Sequence, residues 1–332
     1  MRLPCSTFLA AVVAFLAGAA PASADLVYVK DLVASPDRPT TVWIARDDGS
    51  AARKLALGTQ PAISPDASTV AFIRQDGGRQ ELHLISADGK RERRLMRSSS
   101  VESVQFSPDG KLLAAEIGGR SLMIFEVATG RMATLARGFI KGVSFSPDSQ
   151  RIAYGRGQDA TARGASDIFV VSVIGGDAER LTDDGRSLLP SWGPARIAFV
   201  KQKSASRGGM IPAYDIWAMT DSGARMRRVT TTKVPDGVSG LLPLEWSADG
   251  RRLIAQYVGQ DVRVGFTVNP FTGRTRALRG KVAFDLAADG SSILIQSGGA
   301  DAAARHNILS APYGGGASTL LVRNATFPDW SR

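Results

Sequence analysis

Seven times after residue 45 the chain makes a turn of small residues and, five or six residues later, places an apolar residue, most often behind a basic one. The turns are Asp48-Gly49, Asp88-Gly89, Thr129-Gly130, Gly175-Gly176, Ser222-Gly223, Thr272-Gly273 and Gly315-Gly316. The followers are Leu55, Leu95, Leu135, Leu181, Val229, Leu278 and Leu321, and successive turns lie 40 to 50 residues apart. A repeat of that length is one small supersecondary unit, which must stack on its neighbours to bury an apolar face.

Each unit consists of short apolar runs bounded by turn residues, the pattern of strands rather than helices. In the third unit, Val104-Gln105-Phe106 leads into Ser107-Pro108-Asp109-Gly110, followed by Leu112 to Ala115, Leu122 to Phe125 and Met132 to Leu135, which makes four strands and three turns. Ser-Pro-Asp-Gly has a mechanism as a turn: proline presets φ, Asp bonds neighbouring amides and Gly accepts positive φ. Variants stand at Ser64-Pro65-Asp66, Ser146-Pro147-Asp148, Ser247-Ala248-Asp249-Gly250 and Ala287-Ala288-Asp289-Gly290, and the fifth unit keeps Ser191-Trp192-Gly193-Pro194. A large apolar residue precedes most of them (Ile63, Phe106, Phe145, Trp246, Leu286), and its expected place is the innermost strand, packed against a neighbouring unit.

The two ends of the chain are complementary. Leu26-Val27-Tyr28-Val29 matches the second strand of a unit, and the missing first strand stands at Phe327-Pro328-Asp329-Trp330-Ser331. The expected fold is therefore all-β: a seven-bladed β-propeller of four-stranded antiparallel blades, closed by pairing of the N- and C-terminal strands, which covers two edges that would otherwise be open. An open stack, or a six-bladed ring with one degenerate unit, are the rivals.

These motifs resemble the TolB-type propeller repeat, a relative of the WD-repeat unit. The resemblance lies in Phe106-Ser107-Pro108-Asp109-Gly110, Phe145-Ser146-Pro147-Asp148, Asp167-Ile168-Phe169-Val170, Asp215-Ile216-Trp217-Ala218-Met219 and Arg180-Leu181-Thr182. It covers residues 25 to 332 and extends to the propeller alone, without the additional α/β domain that precedes it in TolB. It implies an exported propeller serving as a binding scaffold, with protein partners in the cell envelope.

Residues 1–24 read as a cleaved signal peptide. Met1-Arg2 is a positive start, Phe8 to Ala20 an apolar run, and Ala22-Ser23-Ala24 the small-x-small cleavage pattern. The run is too short to span a bilayer comfortably, and a lipoprotein Cys would close the apolar run rather than stand at Cys5. The expectation is a periplasmic or extracellular protein that does not span the membrane, with residues 25–332 as one propeller domain and a monomer. Cleavage removes Cys5, the single cysteine, so no disulfide can form and about 300 residues must hold by burial. The 41 Lys and Arg against 31 Asp and Glu give +10, and loss of Arg2 leaves +9. The arginines are scattered over nearly every repeat with no run of five or six, which describes a generally basic surface rather than a nucleic-acid stripe.

Enzymatic signatures are thin. No G-x-S-x-G elbow occurs, mature Cys is absent, and His83 and His306 are the only histidines. Their setting marks His83 as a half-exposed strand residue and His306 as a loop residue. Asp47-Asp48-Gly49 and Asp183-Asp184-Gly185 lack EF-hand spacing and read as turn caps. Asp167 and Asp215, each opening a strand, read as acceptors of backbone amides between blades. Gly314 to Gly316 and Gly175-Gly176 open no helix and read as hairpin turns. Trp43, Trp192, Trp217, Trp246 and Trp330 could form a carbohydrate platform, but their place in repeat strands favours packing. No cofactor and no metal are expected.

Loop excursions fall at Arg156 to Ser166, Lys201 to Ala213 and Gly298 to His306, and such excursions on a rigid scaffold are where recognition resides. The first two carry Arg156, Arg163, Lys201, Lys203 and Arg207, the candidate contacts for an acidic protein surface or a charged envelope glycan. The expected function is a non-catalytic binding scaffold. The alternative is a propeller hydrolase, lyase or lactonase with a site in the central channel, with or without a metal.

Overall fold

A computed structural model describes residues 25–30, 39–159, 164–203, 213–231, 238–259, 263–298 and 306–331. Residues 1–24, read from the sequence as a signal peptide, lie outside them. Every regular element among the described residues is a β-strand, from β1 (Asp25–Lys30) to β28 (Thr326–Trp330), and no helix there is long and apolar enough to cross a membrane.

The strands form antiparallel groups of four. β28 pairs with β1, β1 with β2 (Thr41–Arg46), and β2 with β3 (Arg53–Leu57). The next sheets run from β4 (Thr59–Ile63) to β7 (Glu92–Ser98), from β8 (Val101–Phe106) to β11 (Met132–Arg137), and from β12 (Phe139–Phe145) to β15 (Glu179–Arg180). An eight-stranded path follows, in which β16 (Ser187–Trp192) to β19 (Arg227–Arg228) meets β20 (Val238–Trp246) to β23 (Thr275–Leu278) through one parallel bridge, Tyr214 to Gly240. The last sheet runs from β24 (Lys281–Leu286) to β27 (Thr319–Arg323). All-β architecture in propeller-like four-stranded sheets follows from the short apolar runs and the Pro-Asp-Gly turns between them.

The core lies between sheets. Phe106 belongs to one buried cluster with Ala71, Ile73, Leu82 and Leu84 of the preceding sheet and Leu113 and Phe125 of its own. Ile63, Phe145, Trp192, Trp246, Leu286 and Trp330 occupy the matching buried position at the end of their first strands. Truncating such an aromatic residue to Ala costs about 3–5 kcal/mol. The residue just before this position stitches sheet to sheet. Gln105 Oε1 accepts the Phe145 N–H (3.2 Å), Ser144 Oγ accepts that of Trp192 (2.9 Å), and Asp285 Oδ2 accepts that of Trp330 (3.0 Å). Asp329 Oδ2 accepts the Ile63 N–H (2.8 Å), joining the end of the chain to the β4 sheet.

The outer strands explain the repeat of turn and follower. A Cβ on Gly89 would meet Leu55 at 3.5 Å, one on Gly130 would meet Leu95 at 3.5 Å, and one on Gly223 or Gly273 would meet Leu181 O at 3.1 Å or Val229 O at 2.2 Å. These four turn glycines thus rest on the apolar follower of the sheet before, whereas Gly175 and Gly176 have open space where a Cβ would stand. The basic residue two places ahead of the follower braces the same seam. Arg53 donates to Ala87 O, Arg93 to Val127 O and Ala128 O, Arg227 to Pro270 O and Phe271 O, and Arg276 to Tyr313 O. These four arginines are therefore committed to carbonyls of the neighbouring turn.

At the ends, Leu26 pairs with Trp330, Val27 with Asp329 and Val29 with Thr326, and the Asp25 N–H donates to Ser331 Oγ at 2.7 Å. β1 is second in its sheet, as its residues suggested.

Candidate functional site

The first strand of every four-stranded group carries an irregularity in its pairing. Register against the second strand shifts between Thr59 and Ala62, Val101 and Ser103, Ile140 and Val143, Leu188 and Ser191, Val238 and Leu241, and Ala283 and Asp285, and on the β1–β28 pair between Val27 and Val29. Bulges re-aim side chains and concentrate beside functional sites. Gln60, Leu189 and Phe327 have φ of 49°, 52° and 49° and precede Pro61, Pro190 and Pro328. A bulky residue rarely adopts positive φ, and proline drives its predecessor toward extended backbone, so packing must hold these conformations against a cost of about 1–3 kcal/mol each.

The bulge residues meet their counterparts on adjacent sheets. Gly142 lies against Leu189, where a Cβ would stand 3.0 Å from Leu189 Cα. Leu189 and Leu242 pack in one cluster with Leu188, Val200 and Tyr214. Phe284 and Phe327 stack edge to face at 6.1 Å. Leu189, Phe284 and Phe327, at their bulges, and Leu242, paired in register with Gln256, stay half-exposed, while Gln60, Glu102 and Lys141 occupy bulges on the remaining sheets. Burial pulls the Lys141 ammonium below the usual lysine range, partly opposed by Asp159, and its Nζ donates to Gly164 O at 3.2 Å. Sequence reasoning passed over this set. Its signal was the Pro-x-apolar triplet at Pro61-Ala62-Ile63, Pro190-Ser191-Trp192 and Pro328-Asp329-Trp330.

The loop cations expected to bind have different surroundings. Arg156 is exposed, and its guanidinium stacks 4.1 Å from the Phe169 ring. Lys201 is largely buried; its Nζ lies 2.7 Å from Asp184 Oδ2 and 4.7 Å from the Trp217 ring. Burial works against ionisation of Asp184, but Lys201, the Arg186 N–H and Ser187 outweigh it and hold the carboxyl below its ordinary value. Lys203 Nζ lies 3.3 Å from Asp215 Oδ1, while Arg228 takes Oδ2 at 2.7 Å. Arg163 and Arg207 lie outside the described residues.

Among the acidic residues singled out, Asp167, Asp48 and Asp184 make structural contacts. Asp167 accepts the Thr182 hydroxyl (2.9 Å), the Gly185 N–H (3.1 Å) and Arg180 (2.7 Å). Asp48 and Asp184 cap their turns through Ser50 N–H and Arg186 N–H, both at 2.8 Å. His83 departs from its expected half-exposure. It is buried against Phe72 at 5.3 Å, with Nε2 3.0 Å from Glu81 Oε2 and Nδ1 2.8 Å from Glu92 Oε1. Alternation alone would have half-exposed it, but polar neighbours on β7 cover the ring. His306 is buried too, its Nδ1 2.9 Å from Ser297 O. Among the described residues no three His, Cys, Asp or Glu side chains converge in a way that could hold a metal ion. Trp192, Trp246 and Trp330 are buried, and Trp43 and Trp217 are half-buried beneath Lys30 (4.4 Å) and Lys201.

No family model matches the chain. Tricorn protease homolog 1 of Streptomyces coelicolor is 24% identical over 239 residues, 66% of this chain but 21% of that protein's length. The β-propeller domain of the Trilobed protease from Pyrococcus furiosus, described as having an open velcro topology, superposes with a TM-score of 0.67 at 13% identity, covering 90% of this chain and 92% of that one. TolB from Acinetobacter baumannii superposes with a TM-score of 0.56 at 14% identity, over 88% and 79%. In fold, the chain is a TolB-like β-propeller.

Proposed function

We propose that this protein is an exported, non-catalytic β-propeller that acts as a binding scaffold in the cell envelope, taking a protein partner or an anionic envelope ligand at the mouth built by the first-strand bulges. In this reading the sheets are seven blades closed into a ring. Support for closure comes from the first strands, which contact one another in sequence from β4 through β8, β12, β16, β20 and β24 to β28, with β28 against β4, and from the pairing of β28 with β1.

The observation that carries the binding reading is the composition of the mouth. Half-exposed apolar Leu189, Leu242, Phe284 and Phe327 and polar Gln60, Glu102 and Lys141 all stand on first strands, a mixed lining suited to holding a chain segment. Arg156 adds a cation at the rim for an acidic group. The test is affinity capture from envelope extracts at low and high salt, comparing the natural chain with Phe327→Ser and Arg156→Glu. A partner lost with Phe327→Ser, and made less salt-sensitive by Arg156→Glu, supports the proposal. Equal capture by all three proteins rejects the mouth as the site.

The second reading is an enzyme, favoured by the likeness to a tricorn protease homolog. Turnover by the purified chain that vanishes on substitution at the mouth would establish it.

A further inference from the structure

We propose that Glu116 is a proton-operated latch in the seam between the β8–β11 and β12–β15 sheets, closed when its carboxyl carries a proton and loosened when it ionises. Glu116 stands on β9 (Leu112–Ile117) and is 9% exposed. Its neighbour Ala114 belongs to the cluster shared with Phe145, Ile152 and Tyr154 of the next sheet, so strand alternation turns Glu116 toward that sheet as well. There the Gly142 N–H, in the β12 bulge, donates to its carboxyl.

Polar and charged groups surround it on β8, β12 and β13 (Arg151–Gly157). Ser103, its cross-strand partner on β8, has a buried hydroxyl with no hydrogen-bond partner, and directly opposed residues share one face. Glu102, also on β8, is a like charge that opposes ionisation. On β12, Lys141 is adjacent to Gly142 in sequence, but its ammonium donates to Gly164 O. On β13, the Tyr154 hydroxyl is buried without a partner and the Arg156 guanidinium lies over Phe169. β10 (Ser121–Glu126) places Leu122 opposite Glu116. Burial first, and then Glu102, push the Glu116 carboxyl up to about 7, against the opposing pull of the Gly142 N–H.

A carboxyl raised in the folded state keeps its proton where the unfolded chain has lost it. Between the ordinary value of 4.5 and about 7 the folded protein binds more protons, so stability falls as pH rises through that window and levels off above it. The experiment measures Tm from about pH 5 to about pH 8 for the natural chain, Glu116→Gln and Glu102→Gln. The natural chain should lose roughly 3–8 °C across the window. Glu116→Gln, a neutral isostere of the latched form, should fold and show little of that loss, and Glu102→Gln should move the midpoint to lower pH. A slope that persists in Glu116→Gln, no slope in the natural chain, or failure of Glu116→Gln to fold would each overturn the latch. An unmoved midpoint in Glu102→Gln would remove Glu102 from it.

Discussion

Gly49 rests directly on the backbone of Leu321: a Cβ at Gly49 would stand 2.3 Å from Leu321 O, and Gly49 has φ of +81°. The two residues are 272 positions apart, yet they repeat the turn-on-follower contact seen between successive sheets elsewhere. Only glycine meets both demands, positive φ and backbone at that distance.

Gly49→Ala is therefore expected to lower stability by about 2–4 kcal/mol, combining the left-handed backbone penalty with forced separation of the two segments. Gly175→Ala is the control, since Gly175 has φ of +90° but open space where a Cβ would stand. It should cost about 1–2 kcal/mol. Urea midpoints at constant m-value measure both, and equal losses would show that the Leu321 contact contributes nothing.

Asp285 should be among the most sensitive polar positions. It is 1% exposed, its Oδ2 accepts the Trp330 N–H across a sheet boundary, and its Oδ1 accepts the Leu286 N–H at 2.7 Å. Asp285→Ala strands both donors and should cost about 2–5 kcal/mol. Amide exchange at Trp330 should accelerate in the variant more than exchange in the β8–β11 sheet.

Lys201→Glu should destabilise the protein by about 3–5 kcal/mol, because it sets a second carboxylate beside Asp184 in a mostly buried pair. Arg156→Glu, at an exposed stacked position, should cost less than about 1 kcal/mol. Thermal melts distinguish them, and the contrast makes Arg156 the cleaner probe of ligand binding.

On the acid side, Asp148 is held below its ordinary value of 3.8 by the Ser146 hydroxyl and then by the Gln150 N–H. A depressed carboxyl contributes stability that is present above 3.8 and is lost as pH falls through the lower folded value. Ser146→Ala removes the 2.5 Å bond from Ser146 Oγ to Asp148 Oδ1. It should shift the Asp148 titration upward, as read by carboxyl NMR, and flatten the acid limb of stability below about pH 4.

The repeat positions were legible in the chain because each obeys a local rule. Ser107-Pro108-Asp109-Gly110 makes its turn from its own hydroxyl and carboxylate, with Ser107 Oγ 2.6 Å from Asp109 Oδ1. The strand at Val27 displays its continuous apolar run, Leu26 to Val29, without reference to its partner. The same rules did not reveal the burial of His83 or the pairing of Lys201 with Asp184, which depend on what the adjoining strand brings over them.

The amino-acid order by itself determined the all-β architecture, the four-strand unit and the complementarity of residues 26–29 with 327–331, since short apolar runs and turn chemistry act over a few residues. Tertiary structure decided which cations remain exposed, where Leu189 and Phe327 are held at positive φ, and that Glu116 is buried in a seam between sheets. Those outcomes depend on burial and on partners brought in from a neighbouring sheet, and no short stretch of chain contains both sides of such a contact.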